Sequence, residues 1–202
     1  MHPRSQQGAT VVELLIAGSI SAILVGLCTS IFLRGAHIWA KVESQSDVLQ
    51  EMQVVVAKFH QFGGASRIHS VTADTDSGVL AFPSASDEAG NSAIDGDSGQ
   101  AIWYRYDILY YDAAERAMYF RELPIVTPTT DPERLVNYDD GSGQRPLSFY
   151  KSRGRSLAKD IVEMDTEVDG GVVHLRLKGE RRRAGSERPE LLEIEGRVYP
   201  RN

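Results

Sequence analysis

The residue whose chemistry most needs explaining is Glu13. It follows Ala9, Thr10, Val11 and Val12 and opens a run, Leu14 to Leu33, that holds no charged side chain. At about 1.5 Å of helical rise per residue, that run reaches about 30 Å, the thickness of a bilayer's hydrocarbon core. A carboxylate at the edge of such a run is costly unless something neutralises it. The preceding residues, MHPRSQQG, are polar, contain Arg4 and His2, and have no apolar region of their own. A secretory signal peptide carries its apolar region before the cleavage site, so this order is different. The plausible cut lies after Gly8, upstream of the apolar run, and creates an α-amino group at Ala9. That amine and the Glu13 carboxylate could neutralise one another, within one chain or between neighbours. The competing reading is a plain N-terminal anchor with an incidental Glu.

Other residues that could do chemistry form no constellation. The histidines, at 2, 37, 60, 69 and 174, have no metal-ligand spacing with acids or thiols, and the single cysteine, Cys28, sits inside the apolar run. No Gly-rich phosphate loop or nucleophile elbow is present, so neither a catalytic residue nor a cofactor is expected. Asp74/Asp76 and Asp95/Asp97 alternate as calcium-binding carboxylates do, but neither pair continues into a loop with Gly at the sixth place and a distal Glu; both read as solvated loops. Arg181, Arg182, Arg183 and Arg188 could contact phosphates, yet Glu180, Glu187 and Glu190 surround them, which suits a soluble hairpin tip. The formal charge of −6 likewise argues against a nucleic-acid partner, which needs a basic footprint.

The elements that position these residues follow from periodicity. Beyond Arg34, the residues Ile38, Val42, Leu49, Met52, Val56 and Phe59 recur at helical spacing, with Gln45 the polar member, while Lys41, Glu43, Asp47, Glu51 and Lys58 decorate other faces. This predicts an amphipathic continuation of the apolar helix, the whole running from about residue 10 to 62 and ended by Gly63-Gly64. A free coiled coil is disfavoured, because the stripe is short and β-like sequence follows at once. Residues 66–100 read as a weak strand at Val79–Phe82 and an exposed loop from about 84. Residues 101–122 alternate aromatic and branched side chains, which predicts a strand, a hairpin loop at Asp112 to Arg116 and a second strand at 117–122. One face of that hairpin is expected on the helix and the other against a neighbouring subunit. A connection runs from Pro124 to about Pro146. Three more strands follow, with Asp169-Gly170-Gly171 as a tight turn, Val173, Leu175 and Leu177 pointing inward, and Leu192, Ile194 and Val198 on the inward parity of the last strand. The expected class is α+β: a long N-terminal helix packed on an antiparallel β-sheet.

The N-terminal order resembles the class III signal of type IV pilins and type II secretion pseudopilins. That family has a polar leader ending in Gly, a Thr at the second mature position, a Glu at the fifth, and then a long apolar stretch. Gly8, Thr10 and Glu13 fit those places; Ala9 stands where Phe is usual, and Val11 and Val12 replace the usual Leu and Ile. The helix followed by antiparallel strands, with a terminal VYPRN, looks like the larger minor subunits of the J type. The resemblance implies a division into leader 1–8, assembly helix 9–33, helix continuation 34–64 and an exported domain, 65–202. It implies cleavage between Gly8 and Ala9 by a prepilin peptidase, N-methylation of Ala9, and pairing of Glu13 with a neighbouring subunit's amine. The implied partners are other minor pilins or pseudopilins and the major subunit. The implied location is the inner membrane, crossed once, with the C-terminal domain on the extracytoplasmic side. Many pilins close their C-terminal region with a disulfide; with one cysteine this chain has to rely on its core.

Overall fold

The computed structural model describes residues 10–87, 90–152, 154–181 and 189–201, apart from the side chains at 37 and 40–46. Among the described residues one α-helix, α1 (Val11–Ala65), is followed by eight strands: β1 (Thr72–Asp74), β2 (Val79–Ser84), β3 (Trp103–Asp112), β4 (Ala117–Thr129), β5 (Arg155–Ala158), β6 (Ile161–Asp169), β7 (Val172–Arg181) and β8 (Glu190–Val198). The chain divides into two compact units, Met1–Ser46 and Asp47–Asn202. An α+β layout with antiparallel sheet is thus present, but the strands form two sheets where the sequence suggested one. Both are simple meanders, β1-β2-β3-β4-β5 and β6-β7-β8.

In the second unit, the last turns of α1 present Val48, Met52, Val55, Phe59 and Phe62 to a core shared with both sheets. The stripe expected from the sequence is rotated: Met52 and Phe59 hold their places, Leu49 and Val56 are only partly buried, and Ile38 is exposed. Three glycines explain how closely helix and strands approach. A Cβ on Gly63 would lie 2.4 Å from Val198 Cγ1, one on Gly179 would lie 3.0 Å from Met52 Sδ, and one on Gly196 would lie 3.1 Å from Phe59. Gly63-Gly64 therefore does not stop the helix as expected. Gly63 is a packing residue inside it, and α1 ends two residues later. There the Ser66 hydroxyl is 2.8 Å from both Phe62 O and Pro83 O, tying the helix end to β2.

The five-stranded sheet has a second core on its other face. Val79, Ala81, Ile108, Tyr106 and Tyr110 are covered by Leu135, Tyr138 and Tyr150. The chain's own segment after β4 thus covers the face that the sequence assigned to a neighbouring subunit. Two further expectations fail nearby. Val79–Phe82 is no weak strand, being wholly buried between β1 and β3. β4 continues through Pro124 to Thr129, beyond the expected end at residue 122. The prolines are tolerated because β5 pairs only with Met118, Tyr119 and Phe120, leaving the rest of β4 as an edge where a missing N–H costs no ladder bond.

The three-stranded sheet follows its sequence closely. Gly170 and Gly171, at φ 56° and 85°, close the two-residue turn between Asp169 and Val172, a conformation that glycine adopts freely. Val173, Leu175 and Leu177 point inward as expected, and Leu192, Ile194 and Val198 flank the same core. The sheets are stitched by the Thr75 hydroxyl, 2.9 Å from both Thr166 O and Thr166 N, and by Arg116 to Glu180 at 2.8 Å. Asp107 is the one carboxylate buried among the described residues.

Candidate functional site

The candidate site is the first turn of α1. Gly8 and Ala9 lie outside the described residues. Thr10 and Glu13 are brought together. The Thr10 backbone N–H donates to Glu13 Oε2 at 2.8 Å, the Thr10 hydroxyl donates to the same oxygen at 3.1 Å, and the Glu13 N–H donates to Thr10 Oγ1 at 3.3 Å. The Leu14 N–H reaches Thr10 O at 3.1 Å. This is a capping box: a helix start has N–H groups with no intrahelical acceptor, and Thr-x-x-Glu supplies acceptors from both ends of the first turn. A carboxylate there also meets the positive end of the helix dipole. The signal, Thr10-Val11-Val12-Glu13, stands in the sequence, beside the two readings of Glu13 given above, an amine's partner or an incidental acid. Both bonds fall on Oε2, and Oε1 accepts none among the described residues.

Behind the box, Val11–Ala36 is long and apolar enough to cross a membrane. Among the described residues, every side chain from Thr10 to Arg34 is exposed. The polar groups in the run close on their own helix: Ser19 Oγ donates to Leu15 O and Thr29 Oγ1 to Val25 O, both at 2.8 Å. Such back-bonding spares the apolar surroundings an unpaired hydroxyl. Gly18, Ala22 and Gly26 recur at every fourth residue on one line of the helix, and nothing lies within 4 Å of where a glycine Cβ would stand. Small residues at that spacing let a second helix backbone approach closely.

The remaining candidates are not assembled into sites. Asp95 caps its own loop, Oδ2 accepting from Ser98 N at 2.9 Å and Ser98 Oγ at 2.5 Å. Asp74 ends β1, with Asp76 in the turn that follows. Among the described residues, no group of three or more His, Cys, Asp or Glu side chains is gathered as metal ligands would be. Arg181 ends β7, whereas Arg182, Arg183 and Arg188 lie outside the described residues. Cys28 is exposed on the apolar helix. No protein-family profile, characterised protein or solved structure matches this chain.

Proposed function

We propose that this chain is a minor subunit of a type IV pilus or type II secretion pseudopilus, inserted in the membrane by α1 and assembled through it, without enzymatic activity. The observation that carries the reading is a lone first-turn carboxylate heading an apolar helical run, Leu14 to Leu33, whose side chains are all exposed. Such a helix needs lipid or other helices around it, and the Gly18-Ala22-Gly26 line favours helices. In this reading a prepilin peptidase cuts between Gly8 and Ala9 and methylates Ala9. Glu13 then pairs with a neighbouring subunit's amine, which sets axial register and neutralises both charges in a low-dielectric bundle. The domain meets other minor subunits at the filament tip.

The capping box favours a second reading, a membrane-anchored extracytoplasmic binding module that does not assemble, because Thr10 already gives the carboxylate a partner. The two separate cleanly. Glu13→Gln keeps a capping-box acceptor but removes the charge, since Gln serves at that position as Glu does. The assembly reading predicts a native chain beginning at a methylated Ala9, and loss of filaments or tip complexes in both Glu13→Ala and Glu13→Gln with cleavage intact. A native chain with its leader attached, in cells with an active prepilin peptidase, refutes it. So does normal assembly of Glu13→Gln.

A further inference from the structure

A groove of about 620 Å³ opens beside the last turns of α1, between the helix and strands β4 and β5. Its floor is aromatic: Phe62 and Phe120 stack with centroids 5.1 Å apart and planes at 18°. The Lys58 ammonium lies 5.3 Å from the Phe62 centroid and 5.9 Å from that of Phe120. Arg155 enters from β5, directly across the ladder from Phe120, and is exposed. Among the described residues Arg121 donates to neutral oxygens, Tyr150 O and Ser152 Oγ, each at 3.2 Å. Arg105 differs, being held by Asp107 at 3.2 Å and Glu122 at 3.3 Å. Lys58, Arg121 and Arg155 therefore bring positive charge to a groove whose lining carboxylate, Glu122, is held by Arg105. None of the three makes a direct ion pair among the described residues, although the Lys58 charge also acts on the buried Asp107, and the chain's formal charge is −6.

The groove adjoins a free strand edge. β5 ends the five-stranded sheet, and among the described residues no strand pairs with its outer side. Half of an edge strand's backbone N–H and C=O groups point outward, where an extended segment can add to the ladder. A phosphate or nucleotide would use the cations and leave that edge unpaired. A polypeptide uses both, with carboxylates on alternate residues reaching the cations and its backbone meeting β5.

We propose that this groove binds an acidic, extended segment of another protein, added along the outer edge of β5 with its carboxylates against Lys58, Arg121 and Arg155. The proposal does not rest on the filament reading; an anchored module would use the same surface.

The test is fluorescence anisotropy with the full chain in non-ionic detergent and a fluorescein-labelled decapeptide of alternating Thr and Glu. A Thr-Gln decapeptide is the control. Saturable binding of the acidic peptide alone is expected, weakened about tenfold by Arg155→Glu combined with Lys58→Gln. Arg197→Glu, on the other sheet, should leave it unchanged, and Trp103 fluorescence confirms that each variant is folded. Equal binding of both peptides, no binding of either, or indifference to the groove variants overturns the proposal. So does displacement by millimolar inorganic phosphate, which would mark a small-anion site, or a groove-dependent self-association, which would make a second copy the occupant.

Discussion

Asp107 gives the domain a pH dependence whose sign and size follow from its surroundings. Its side chain is 4% exposed on β3, between Phe82 and Glu122 in the ladder. Burial pushes its carboxyl up to about 6; the Arg105 guanidinium and Lys58 pull the other way without compensating, and Glu122 adds to the rise. Against an unfolded value of about 3.9, the gap of roughly 2 units corresponds to about 3 kcal/mol. The folded form holds this proton more tightly than the unfolded form. Its contribution is therefore fully present below about pH 4 and is lost as pH rises through about 6. Asp107→Asn fixes the neutral state. Urea unfolding of both full-length proteins in non-ionic detergent, followed by the buried Trp103, gives the stability difference at each pH. Other carboxylates titrate equally in both proteins and cancel. The variant should gain about 3 kcal/mol on the native chain as pH rises from below about 4 to about 7.5, with the change half complete at about pH 5, between the two pKa values, and nearly complete by about 6. A difference that stays flat across that range would refute the reasoning, and would mean that Arg105 fully offsets the burial of the carboxylate.

Two further outcomes are expected. Gly63→Ala gains about 1 kcal/mol of helix propensity but drives a Cβ into Val198, so it should destabilise by about 1–2 kcal/mol net in urea titration. In a Val198→Ala background both methyl contacts are gone and only the Cβ of residue 198, at 3.1 Å, still crowds the new methyl, so the same substitution should cost clearly less than in the native chain. Thr10→Val removes both side-chain bonds of the capping box, so amide exchange in the first turn of α1, read in micelles, should accelerate about fivefold, as loss of about 1 kcal/mol implies, while Thr10→Ser restores it.

The parts of the fold legible in the sequence were those in which one face meets water and the other meets a core. The β6-β7 hairpin was readable because Val173, Leu175 and Leu177 alternate with His174, Arg176 and Lys178, and the two turn glycines adopt positive φ. Val79–Phe82 was underrated because a strand buried on both faces shows no alternation. Gly63 was misread because a glycine that ends a helix and one that admits a neighbouring side chain look alike until Val198 is placed beside it. The cover over Ile108 and Tyr106 was missed for a related reason. Leu135, Tyr138 and Tyr150 are scattered through a Pro- and Asp-rich connection, so no period marks them as core. The groove was invisible, since Lys58, Arg121 and Arg155 become neighbours only when α1, β4 and β5 meet.

Glu13 is the case in which the sequence carried two signals at once. Thr-x-x-Glu is a helix start in any protein, and a lone acid ahead of an apolar run is a charge awaiting a partner in a membrane. The geometry makes the two compatible. Thr10 occupies Oε2 through both of its donors, while Oε1 accepts no bond among the described residues. An ammonium group could approach Oε1 without opening the box, so the bonds that hold the first turn need not be exchanged for an ion pair. The box would then fix the carboxylate's direction before a neighbour arrives, reducing the side-chain entropy lost on pairing. A free, rotating Glu at the same place would have the same charge and a weaker claim to set register.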